Sequence, residues 1–67
     1  MARTRDDQLD DLRSRLDTIA EELADLGRDR LVEALENGDT VAEADERRLS
    51  RARRAVLKAA ALLGSED

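Results

Sequence analysis

Leu9, Leu12, Leu16, Ile19, Leu23 and Leu26 recur at alternating spacings of three and four. That pattern places all six on one side of a single long helix, as an a/d seam. On a strand they would scatter over both faces. The remainder of the chain has to supply what the seam packs against.

Local signals set the ends of two helices. Thr4, with Asp7 three residues on, makes a first cap, and Asp6 and Asp7 complement a helix N-terminus. The first helix runs over about 5–36. Asn37-Gly38 stops it, since both residues tolerate the left-handed backbone a helix end needs. Thr40-Val41-Ala42-Glu43 matches the capping box, so Thr40 is the expected second cap. The second helix runs over about 41–63, with Gly64 as its end. A link this short predicts an antiparallel hairpin and one domain over 1–67, frayed at 1–4 and 64–67.

Gly27 interrupts the first helix, and the apolar stripe changes phase there. The heptad continues into Arg30, whereas Leu31, Ala34 and Leu35 lie further round. This reads as a stutter, with Gly27 allowing close approach of a neighbouring helix. Arg30, in a slot where Leu is expected, either snorkels to the surface or pairs with an acid across a helix interface.

The second helix has its own seam in Leu49, Ala52, Val56, Ala59 and Leu63. Over residues 56–63 it is apolar nearly all round, through Val56, Leu57, Ala59, Ala60, Ala61, Leu62 and Leu63, with Lys58 the exception. A helix apolar all round is expected to be buried all round, which one partner helix cannot achieve. The first helix also outruns the second by about nine residues, roughly 14 Å at 1.5 Å per residue. Leu9 and Leu12 sit on that overhang with no cover from their own chain. Fifteen Leu, Ile and Val and no aromatic residue make a meagre core for a lone 67-residue chain. The expectation is an all-α homodimer in which two hairpins form a four-helix bundle. Leu9, Leu12, Leu16, Ile19, Leu23, Leu26, Leu49, Val56, Leu57, Leu62 and Leu63 are its expected core and dimer seam.

The missing residue types bear on chemistry. Without Cys or His the chain has no thiolate nucleophile, imidazole base, or nitrogen or sulfur metal ligand. Without Phe, Tyr or Trp it has no platform for stacking single-stranded bases. No cofactor or metal and no enzymatic activity are expected. The charged start is not followed by an apolar run, and the run over 56–63 is too short to cross a bilayer. The expectation is a cytoplasmic protein with no membrane contact.

Charge is uneven. Residues 1–40 carry a net charge of −6 and residues 41–67 a net of +1, within a total of −5. From Arg47 to Lys58 there is no acid. Arg47, Arg51, Arg54 and Lys58, spaced four, three and four apart, form one outward stripe. Such a stripe suits an acidic protein partner, or the phosphates of a nucleic acid. It also reads as a solvated face, with Glu43 neutralising Arg47. Asp6, Asp7, Asp10 and Asp11 read as a solvated acidic face, because a rigid helix cannot wrap a hard cation as a calcium loop does.

The stretch from Gln8 to Leu23, QLDDLRSRLDTIAEEL, resembles the first helix of the all-helical chorismate mutases. That family forms an intertwined helical dimer whose arginines bind the two substrate carboxylates. By position, the resemblance implies that role for Arg13 and Arg30, and an Arg fork suits carboxylates. Val41 stands where the family has a catalytic Lys, and the family's third helix has no counterpart in these 67 residues.

The reading that ties these features together is a small dimeric helical interaction module with a charged helix face. A nucleic-acid-binding accessory protein is the alternative, and a chorismate-mutase-like enzyme the third.

Overall fold

The computed structural model describes residues 4–64, as two helices: α1 (Arg5–Asn37) and α2 (Thr40–Gly64). Residues 1–3 and 65–67, most of the expected frayed termini, lie outside the described residues. α1 starts as its sequence predicts. Thr4 is extended, its hydroxyl accepts from the Asp7 N–H at 3.1 Å, and its carbonyl accepts from the Gln8 N–H at 3.1 Å. One otherwise unpaired helix donor, the Asp7 N–H, is thereby satisfied, and the Gln8 bond opens the helix ladder. α1 ends at Gly38, whose φ of 61° and ψ of 32° are left-handed.

The second cap differs from the expectation. Asp39, not Thr40, caps α2: its Oδ1 accepts from the N–H groups of Val41 and Ala42, each at 3.0 Å. Thr40 is the first helical residue. Glu43, the other half of the expected capping box, takes an Arg47 Nη2 donor at 3.0 Å. An ionised carboxylate at the N-terminus gains from both hydrogen bonding and the helix dipole, so Asp39 takes the position from a neutral hydroxyl.

The helices run antiparallel as a hairpin 53 Å long, 25 Å wide and 11 Å thick, one helix layer deep. Three side-chain relationships give its register. Arg13 lies against Gly64, Gly27 against Leu49, and Arg30 beside Asp45. Facing residue numbers therefore total about 76 along the whole length. Residues 5–12 of α1 extend beyond the end of α2, leaving Leu12 half exposed as the length difference predicts.

The seam between the helices is built from small residues. Ala20, Gly27, Ala42 and Ala60 are buried, and among the described residues no large side chain is fully buried. Small residues at a crossing let helix axes approach; Gly27 faces Leu49 there, at a spacing where an added Cβ would make an ordinary 3.8 Å contact. Larger residues at the seam are only half-buried, and Leu12, Ile19, Leu26, Leu31 and Leu35 lie to either side of it, on the two broad faces of the layer.

Candidate functional site

The apolar stripe uses both broad faces. Leu12, Ile19 and Leu26, seven apart, share one face and are 46%, 44% and 40% exposed. Leu26 lines a shallow groove there with Leu49 and Ala52, closed at one end by Arg30, Asp45 and Arg48. Beyond Gly27 the stripe crosses over. Leu31 and Leu35 line the opposite face with Ala34, among Glu43, Glu46 and Arg47. The phase change read at Gly27 thus moves the apolar surface from one side of the layer to the other. Leu16, Leu23, Leu49, Val56 and Leu63 are half-buried along the inter-helix seam, and Leu9, on the overhang of α1, is half-buried as well.

Leu57 and Leu62, expected at a core or dimer seam, lie outside the seam between α1 and α2. Leu57 sits on the opposite face, in a groove with Asp17, Ala20, Glu21 and Arg53. Leu62 is 67% exposed and turned away from α1. The cause is the run over 56–63: a helix apolar all round projects leucines in every direction, and α1 covers only one.

The edges of the layer carry the charge. Arg47, Arg51, Arg54 and Lys58 are all exposed along the edge of α2 remote from α1, as their spacing predicts. Arg47 is held by Glu43, and the Arg54 Nε donates to the Ser50 carbonyl at 3.5 Å. Arg51 and Lys58 form no ion pair among the described residues. On α1, Asp10 pairs with Arg13 at 3.8 Å and Asp11 with Arg15 at 2.9 Å. Among the described residues, no three of His, Cys, Asp or Glu are grouped to hold a metal ion. Among the described residues, no helix is long and apolar enough to cross a membrane.

Arg13 and Arg30, the pair singled out by resemblance, are 17 residues apart on one helix, roughly 25 Å. Each is engaged within the chain. Arg13 reaches across to Gly64 at the end of α2. The Arg30 Nη1 donates to Glu33 Oε1 at 3.0 Å, and its Nε lies 3.9 Å from Asp45 Oδ2 on α2. Arg30 is half-buried, so it does what a polar residue in a core slot can do: it pairs with an acid across a helix interface.

Sequence reasoning left out Asp45, which with Arg48 joins Arg30 in closing the groove. A signal for it existed. A two-residue turn fixes the hairpin register, and that register puts position 45 or 46 level with Arg30. A comparison with protein-family models, with curated proteins and with solved structures finds no match.

Proposed function

We propose that this chain is a non-enzymatic, dimeric helical interaction module, displaying the basic edge of α2 to an acidic protein partner. One observation carries the reading. The hairpin buries only small residues at its own seam and leaves Leu12, Ile19 and Leu26 in line on one face. Apolar surface in a contiguous stripe marks an association site, whereas scattered leucines do not. Covering it on a second copy leaves Arg47, Arg54 and Lys58 on the α2 edge free to meet a partner by charge.

Sedimentation at micromolar concentration tests the dimer. A cooperatively melting monomer overturns the reading. The partner is tested by affinity capture with the wild type and with a variant carrying Arg47→Glu, Arg54→Glu and Lys58→Glu. The reading expects a defined acidic protein that is held by the first and lost by the second. Salt-sensitive retardation of DNA or RNA, abolished in that variant, points instead to nucleic-acid phosphates.

A further inference from the structure

The two long edges of the hairpin carry opposite and complementary charge. Glu22 and Asp29 are exposed, seven residues apart on α1, and neither forms an ion pair among the described residues. Glu22 follows Ile19 by three and precedes Leu26 by four; Asp29 follows Leu26 by three. Both therefore flank the apolar stripe on its outer side. On α2, Arg51 is exposed, without an ion-pair partner, and one turn beyond Arg48, which lines the same face. By the hairpin register Arg51 lies level with residue 25 of α1, midway between Glu22 and Asp29. It cannot reach them within its own chain, because the two edges lie on opposite sides of a layer 25 Å wide.

Resting on the dimeric reading above, we propose that the face carrying Ile19 and Leu26, with Leu12 at its margin level with the end of α2, is covered by a second copy related by a two-fold axis parallel to the helices. α1 of each copy then lies over α2 of the other, and both Gly38 turns sit at the same end. Rotation about an axis along the helices shifts nothing along them, so the register within one hairpin carries over between copies. Arg51 of one copy comes level with the gap between Glu22 and Asp29 of the other, about one helical turn from each. The contact occurs twice in the dimer. A two-fold axis perpendicular to the helices also buries the apolar face, but it stacks α1 on α1 and brings the acidic edges together. Like charges so placed oppose association, which selects the first arrangement. The opposite face is less suited, since Asp17, Glu21, Glu46 and Arg53 line its grooves.

The test combines a charge-swap cycle with a distance. The dissociation constant is measured by sedimentation for the wild type, for Arg51→Glu, for Glu22→Arg with Asp29→Arg, and for the three changes together. The first two variants are expected to dissociate about ten-fold more readily, and the combined variant to recover most of the loss. Spin labels at Asn37→Cys are expected within about 30 Å of each other. The perpendicular axis would set them roughly 55 Å apart at 1.5 Å per residue. A dimer without recovery in the triple variant, or with the long label distance, overturns this arrangement and leaves the dimeric module standing. A lone chain at all concentrations overturns both.

Discussion

The guanidinium of Arg13 lies over the C-terminal end of α2, so close that a Cβ built on Gly64 would come within 2.6 Å of Arg13 Nη1. α2 has no basic residue in its own last turn. Its exposed carbonyl end, which favours a cation, receives one from α1 instead. Arg13→Ala is expected to destabilise the fold by about 0.5 kcal/mol, a loss that shrinks as salt is raised. Urea unfolding at low and high ionic strength checks it. A loss that does not depend on salt would assign Arg13 a packing role.

Gly27 is buried in the seam, yet it has room to spare. A Cβ there would meet the Leu49 Cβ at 3.8 Å, an ordinary contact. Gly in a helix interior costs about 1 kcal/mol relative to Ala. Gly27→Ala is therefore expected to stabilise by about 1 kcal/mol, read as a higher urea midpoint at fixed protein concentration. Destabilisation would mean the helices approach more closely than 3.8 Å implies.

Asp39 and Thr40 compete for one role, and mutation separates them. Asp39→Ala removes the acceptor of two N–H groups and is expected to cost about 1 kcal/mol. Thr40→Ala is expected to stay within about 0.5 kcal/mol of the wild type. Equal losses in thermal unfolding would reinstate the Thr40 cap.

Ile19→Glu and Leu35→Glu contrast the two faces. Ile19 is half exposed in a single chain, so charging it is costly only where a second copy covers it. Ile19→Glu is expected to shift the protein to monomer and lower its melting temperature. Leu35, 77% exposed, is expected to tolerate Glu with little change in either. Equilibrium sedimentation and circular dichroism measure both, and the opposite ranking would move the interface to the other face.

Most of the hairpin is legible in the sequence because local chemistry specifies it. Thr4, Asn37-Gly38 and the three-four spacing of the leucines each act within one turn of helix. The cap at Asp39 was misread because Thr40-x-x-Glu43 satisfies a pattern that an ionised neighbour one residue earlier outcompetes. The side of the 56–63 run that α1 covers was not legible either. Where a helix is apolar on every side, periodicity contains no information about which side its partner takes. The pairing of Arg30 with Asp45 needs the register of the turn, a property of two helices together.

The reversal of the chain rests on Gly38 and Asp39 alone, with Gly38 the single left-handed backbone among the described residues. A side chain at position 38 would strain that conformation by roughly 1–2 kcal/mol. The same chain can escape by straightening into one rod from Arg5 to Gly64. Its halves then find their complements on another molecule, through the same Ala20, Gly27, Ala42 and Ala60 seam. In the dimer proposed above, this one glycine would therefore weight finished hairpins against exchanged arms.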